Sequence, residues 1–253
     1  MRDDRDGTIV LEAPQRRVTA DGLVFGATGG ANIIQFPSRA GRDVQRSSQA
    51  SGERAIAAVL DLLATTLDAR SAAHPPTVLA ALGALAGFAA QQKLMLEGGT
   101  VWAQPSRAEH LDRLLLSELP RDASLWRTLQ TAAQALGAQH LPNPNTLLDA
   151  TLRCVGTTQF GLITLPLEYR LLQQPQVALA AVWIPVRHAL APPPASAAHL
   201  PSVLADACAS RIRSDARAVP PHVALRIVMQ AALAMALIEP RAIPGAATKP
   251  LSS

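Results

Sequence analysis

Two polar residues near the end of the chain have the chemistry of a ligand site. Arg226 and Gln230 are four positions apart in the mostly apolar segment 223–238, so a helix places both on one face. A guanidinium group pairs with a carboxylate or phosphate through parallel hydrogen bonds, and a carboxamide both donates and accepts. The pattern predicts a core helix with a polar edge, and a ligand pocket at Arg226 and Gln230 is the sharper alternative.

A glycine-rich stretch, VFGATGGAN at residues 24–32, suggests a second kind of chemistry. It resembles the phosphate loop of extended short-chain dehydrogenases, which reads GATGxxG between a strand and a helix and holds a pyrophosphate. Here Asn32 replaces the third glycine, Pro37 interrupts the place of the helix, and no acidic residue lies about twenty positions on. We therefore expect a flexible glycine stretch and no cofactor.

The cysteines and histidines form no catalytic or metal-binding pattern. Cys154 and Cys208 are far apart, the six histidines include no HExxH or HxH motif, and no serine lies in GxSxG. We read each cysteine as a small buried apolar residue. The sequence thus predicts no catalytic residue and no metal site. It leans away from an enzyme, while an enzyme with an unrecognised motif stays open.

Composition favours helices and argues against a nucleic-acid partner. Hydrophobic residues make up 49% of the 253 residues and aromatic residues only 3%, and Ala and Leu dominate. Both are strong helix formers, whereas strands favour β-branched and aromatic residues. The net charge of +4 is spread thinly, without the clustered Lys and Arg that bind phosphates. The polar start carries no signal peptide, so we expect a cytoplasmic protein.

The chain is expected to have three parts. Residues 1–52 read as a flexible N-terminal arm, whose apolar islands 8–11, 22–25 and 32–37 are candidates for short docked strands. Residues 53–240 read as one mainly α domain, a helical bundle of seven or eight helices. The pattern leaves room for a short β element near Val101 or Ile163. Residues 241–253, rich in Pro, Gly, Ala and Ser, read as a disordered tail.

Hydrophobic period and breakers set the first helices of this domain. Apolar residues recur at helical spacing from Glu53 to Leu67, and prolines 75 and 76 precede a nearly all-apolar segment, 77–96. We expect these two helices to form an antiparallel hairpin. Gly83 and Gly87 make a GxxxG pattern, which predicts a close helix–helix contact in the core. The apolar run 78–90 is too short to span a membrane.

Three segments resemble an uncharacterised proteobacterial protein family of unknown function. They are residues 79–91 (LAALGALAGFAAQ), 155–161 (VGTTQFG) and 225–232 (LRIVMQAA). The resemblance covers most of residues 53–240 and implies a bacterial protein whose helical body is a natural unit, with the arm as an addition. It implies no activity, cofactor or site residue.

Three classes of function remain. The sequence favours a non-enzymatic interaction or regulatory protein with a protein partner or a homo-oligomeric state. The alternatives are a helical binder of a small apolar or amphipathic ligand and an enzyme without a recognisable motif.

Overall fold

The structure, a computed structural model, divides the chain into two units, Met1–Arg54 and Ala55–Ser253. It describes residues 51–95, 112–117, 124–190 and 199–244 with their side chains. Residues 2–3, 9–11, 16–19, 22–27, 30–34, 39–50 and 96–98 are described as backbone elements.

The first unit contains an antiparallel sheet whose five strands pair in sequence order. The strands are β1 (Arg2–Asp3), β2 (Ile9–Leu11), β3 (Arg16–Thr19), β4 (Gly22–Ala27) and β5 (Gly30–Ile34). Each of the three apolar islands of the expected arm contributes a strand. The residues between the strands lie outside the described part of the chain, so flexibility of residues 1–52 stays a prediction.

The glycine-rich stretch lies in the hairpin of β4 and β5, where Val24 pairs with Ile33 and Phe25 with Asn32. A phosphate loop needs a strand followed directly by a helix. Here a strand follows a strand, so the stretch lacks the strand–helix order of a phosphate loop, and the expected absence of a cofactor stays a prediction.

The second unit is mainly α, as predicted. Helix α1 (Arg39–Thr66) begins before Glu53, the predicted start, so its first part belongs to the first unit and the rest to the second. The others are α2 (Ala69–Ala72), α3 (Pro75–Gly98), α4 (described over residues 112–115), α5 (Leu125–Ala135), α6 (Pro144–Cys154), α7 (Pro175–Leu190), α8 (Leu200–Ser214) and α9 (Pro221–Ala236). Single 3₁₀ turns lie at Leu167–Tyr169 and Pro240–Ala242.

Helices α3 and α9 form the centre of the second unit. Gly83 faces the backbone of Val228, and Gly87 faces the backbone of Ala232, so four residues along α3 correspond to four along α9. The two helices are therefore parallel and in register. This is the close core contact that the GxxxG pattern predicts. The predicted antiparallel hairpin makes α1 the main neighbour of α3, and this is wrong. Helix α3 packs most extensively against α9 and α8.

Helix α3 is a buried helix. Among the described residues, one stretch, Pro75–Met95, is long and apolar enough to cross a membrane, and 83% of its apolar window is buried inside the protein. Phe88 of α3 meets Trp183 of α7 edge to face, with ring centroids 4.8 Å apart. Such burial and aromatic packing are typical of a core helix.

Local signals set several helix ends as the sequence indicates. Ser124 caps α5 by accepting a hydrogen bond from the backbone N–H of Arg127, and Gly137 follows that helix at a φ of 85°. Asn143 caps α6 in the same way. The apolar residues of α5 recur at helical spacing as far as Leu136, which predicts an inward stripe, but this is wrong for Leu136, which is 38% exposed.

Residues 155–174, which we call the strap, connect α6 to α7. The strap contains no strand, so the expected β element near Ile163 is not formed there, and Val101 lies outside the described residues. From Gly161 onward its half-buried positions are Gly161, Ile163, Leu165, Tyr169, Leu171 and Gln173. Exposed positions alternate with them on both sides of the 3₁₀ turn. The strap is thus an extended segment laid on the helices, with alternate residues turned inward.

The ordered chain continues past α9 into the expected tail. Ile243 is 2% exposed and belongs to the core. Residues 245–253 lie outside the described part of the chain.

Candidate functional site

A cavity of about 110 Å³ lies where α6, the strap and α9 meet. Helix α6 contributes Thr151 and Cys154, the strap contributes Gln159 and Thr164, and α9 contributes Gln230. The strap crosses α9 at Gly161, where an added Cβ would lie 3.6 Å from the Met235 Cε, in ordinary van der Waals contact. Gly161 has a φ of 79°, a left-handed conformation that glycine adopts without strain.

The lining of this cavity offers hydrogen-bonding groups without charge. None of its described side chains is acidic or basic. The Thr151 hydroxyl donates to the Leu147 carbonyl oxygen at 2.8 Å, so only its lone pairs remain for a ligand. Gln159 and Thr164 are exposed, and their side chains bond to no other residue in the described part of the chain.

The predicted ligand pair is divided by the structure. Gln230 lines the cavity and is half-buried, and its Oε1 is buried without a hydrogen-bond partner among the described residues. Arg226, one turn earlier on α9, is exposed and is not part of the lining. Helical spacing identifies the helix that contributes to the cavity, because residues i and i+4 share a face. The spacing does not predict how deeply each side chain is buried. A ligand role for Arg226 or Gln230 stays a prediction.

Cys154 is a cavity residue for which the prediction of a buried core position is wrong. Cys208 is fully buried, as expected of a small core residue, and burial raises the pKa of its thiol well above the usual range. Cys154 is half-buried at the end of α6 and lines the cavity, so the core reading is wrong for it. No local pattern distinguishes the two cysteines, since the difference comes from where the strap crosses α9.

The strap also carries an exposed apolar surface. Among the described residues, seven large hydrophobic side chains are exposed, and six of these lie in or beside the strap. The six are Leu152, Val155, Leu162, Leu167, Leu172 and Val177. Leu167 is the most exposed, at 83%, and the seventh, Leu136, lies on α5. Exposed apolar side chains scattered singly are ordinary, whereas a concentration in one segment indicates a contact surface.

Within the strap only two side chains are charged, and a third charged side chain, the exposed Arg153, lies between Leu152 and Val155 at the edge of this surface. Between residues 154 and 177 the charged side chains are Glu168 and Arg170, on either side of Tyr169. Both are exposed, and neither forms an ion pair with another described residue. The strap is therefore electrically neutral, with one acid and one base near its middle.

A partly buried hydrogen-bond chain anchors the far end of the strap to the start of α3. The Leu172 N–H donates to the Thr77 hydroxyl oxygen at 3.0 Å, and that oxygen lies 2.9 Å from His74 Nδ1. Thr77 is fully buried, and burial lowers the pKa of His74. Since Gly161 lies at the C-terminal end of α9 and Thr77 at the N-terminal end of α3, the strap runs the length of the central pair.

The residue types that bind metal ions do not assemble into a site where they are described. Within the described ranges, no three His, Cys, Asp or Glu side chains are close enough together to hold a metal ion. Comparison of this chain with models of protein families, with curated proteins and with solved structures gives no match. The resemblance to an uncharacterised bacterial family therefore stays a prediction.

Proposed function

We propose that this protein is a non-enzymatic interaction protein, and that its strap binds the strap of a second copy of the same chain. The observation that supports the proposal is the concentration of exposed leucine and valine side chains in and beside the strap, which itself carries no net charge. Burying a leucine side chain that is otherwise exposed contributes about 1.5–3 kcal/mol. Burial of several such side chains on each copy contributes to the free energy that offsets the cost of association.

Charge complementarity favours a second copy as the partner. Glu168 and Arg170 flank Tyr169, so a two-fold axis near Tyr169 brings Glu168 of each copy to Arg170 of the other. A two-fold interface joins the same patch on both copies and must be complementary to itself. A segment with one acid and one base on either side of a central residue meets that requirement, and a segment with two like charges does not.

The same neutrality argues against other partners. Nucleic acids and anionic lipid surfaces attract clustered Lys and Arg, and Arg170 is the only base in the strap. The cavity of about 110 Å³ is too small for an amphipathic ligand with an acyl tail. A cytoplasmic location in a bacterial cell, expected from the sequence, is part of the same proposal.

Leu167→Asp tests the proposal, because it places a charge at the most exposed apolar position without touching the core. Sedimentation velocity of the full chain over a wide concentration range should show a dimer that Leu167→Asp turns into a monomer. Leu136→Asp, also at an exposed leucine but on α5, is the matched control and should leave the dimer intact. A monomer at all concentrations for the unmodified chain, or equal effects of the two substitutions, would contradict the proposal.

A further inference from the structure

We propose that the cavity between α6, the strap and α9 is a binding site for a small uncharged carboxamide. The carboxamide belongs to a free small molecule or to the Asn or Gln side chain of a peptide. This site goes beyond the contact surface of the strap and does not depend on association of two copies.

The uncharged lining of the cavity makes it a poor site for a charged ligand. A carboxylate, phosphate or ammonium group that enters the cavity loses hydration, and no charged side chain in the described lining compensates for it. A purely apolar ligand is also a poor match, because two carboxamides and two hydroxyls line the same space. The complementary ligand is polar, neutral and able both to donate and to accept.

The amide of Gln230 specifies an acceptor on the ligand. Its Oε1 is buried and accepts no hydrogen bond from the described residues, so it is closed to a ligand in the cavity. Its Nε2 is accessible and forms no hydrogen bond with another described residue, so this nitrogen is the amide atom that meets the cavity. A ligand carbonyl oxygen accepts from Gln230 Nε2, and the ligand N–H donates to the side-chain oxygen of Gln159 or Thr164 at the exposed side.

The size of the cavity limits the ligand. A cavity of about 150 Å³ holds a benzene molecule. The space of about 110 Å³ here therefore accepts a group of roughly four to five heavy atoms. A carboxamide with a short aliphatic stem has that size, and the side chain of glutamine ends in the same group.

Protection of Cys154 from alkylation provides the test, since its thiol lies in the lining. The full chain is treated with methyl iodoacetate, an alkylating agent without an amide, in the presence of propionamide, of N-acetylglutamine methylamide or of butanone, and Cys154 modification is followed by mass spectrometry. Butanone matches propionamide in shape but lacks the N–H. We expect each amide to slow the modification of Cys154. Butanone should need a roughly fivefold higher concentration to give the same protection, because one hydrogen bond contributes about a fivefold difference in affinity.

Two variants separate binding in the cavity from effects elsewhere. Ala150→Leu adds bulk to the exposed rim of the cavity and should abolish protection by the amides. Ala135→Leu adds the same bulk to an exposed position on α5 and should leave protection unchanged. Protection by the peptide amide alone assigns the site to a side chain, and protection by propionamide assigns it to a free molecule.

Equal protection by butanone, or none by either amide, would overturn the proposal and leave a cavity filled with water. The strap variant Leu167→Asp should keep the protection by amides, so failure of the dimer and failure of this site are distinguishable.

Discussion

The backbone of α3 at Gly87 lies against the backbone of α9 at Ala232. A Cβ atom added to Gly87 would be 2.7 Å from the Ala232 Cα and would overlap its carbonyl oxygen. Gly83 has the same relationship to Val228, one helical turn earlier. The two glycines therefore set the distance between the central helices, around which the rest of the second unit packs.

Gly87→Ala should destabilise the protein, because the obstructing atoms are backbone and cannot move aside cheaply. Forced overpacking of a core costs about 1–3 kcal/mol, and a clash with a helix backbone belongs at or above the upper end. Gly52→Ala is the matched control, since an added Cβ there meets nothing within 4 Å and should stabilise the helix by about 0.5–1 kcal/mol. Urea denaturation of the two variants measures both effects, and similar midpoints would contradict the tight crossing.

Gln91 closes the carboxyl end of α9, and its loss should also be costly. Its Nε2 donates to the carbonyl oxygens of Ala236 and Ile238 at 2.9 and 2.7 Å, and the side chain is fully buried. Gln91→Leu leaves two buried carbonyl groups without donors, for an expected loss of about 2–4 kcal/mol in the free energy of unfolding. Gln134→Leu, at an exposed position on α5, should change it by less than about 0.5 kcal/mol. Equal losses in thermal or urea unfolding would rule out the capping role.

The sequence predicts individual helices well because the signals that form them are local. The predicted apolar segment 77–96 lies within α3, and Ser124 and Gly137 provide the local signals at the two ends of α5. The neighbours of each helix are a different matter, since they depend on contacts between distant parts of the chain. The GxxxG pattern indicates that α3 meets some helix closely, yet nothing local shows that the partner is α9.

Acidification should weaken the protein through His74. The Thr77 hydroxyl oxygen accepts from the Leu172 N–H, so the hydroxyl proton is available for donation to His74 Nδ1. This nitrogen accepts the hydrogen bond only when the imidazole ring is neutral. Burial lowers the pKa of His74 below its value of 6.5 in the unfolded chain. The unfolded state therefore binds more protons, and the stabilisation is complete above pH 6.5 and is lost progressively as the pH falls below it.

His74→Gln should flatten this pH dependence, measured as the free energy of unfolding between pH 8 and pH 5. The exposed His222→Gln should retain the dependence of the unmodified chain. Hydrogen exchange at the Leu172 amide gives a local reading, since protonation of His74 should speed it. An unchanged slope in His74→Gln would show that the hydrogen-bond chain does not contribute.

The two cysteines should react with iodoacetamide at very different rates. The thiolate is the reactive form, and burial raises the pKa of Cys208 while also shielding its sulfur from the reagent. Cys154 is half-buried in the lining of the open cavity. Mass spectrometry of the folded protein should find Cys154 modified first and Cys208 modified only after unfolding. Modification of both at one rate would contradict the assigned positions.

The candidate site is predictable only in part, for a physical reason. Gln230 is found because helical spacing identifies the polar edge of an apolar helix. Cys154, Gln159 and Thr164 are missed because apolar residues of the strap occupy both inward and outward positions, so its sequence does not show the alternation seen in its burial. Its path over α9 is decided by tertiary contacts. The same irregular segment carries the exposed leucines, which composition alone cannot assign to the surface.

A charge exchange in the strap tests the central claim most directly. Glu168→Arg alone and Arg170→Glu alone each place like charges opposite each other at the proposed two-fold contact, and the double variant restores opposite charges. Sedimentation equilibrium should show dissociation constants raised by roughly tenfold in the single variants and restored to within about threefold in the double variant. If the double variant associates no better than the single ones, or if all four proteins behave alike, the strap does not bind its own copy in this arrangement.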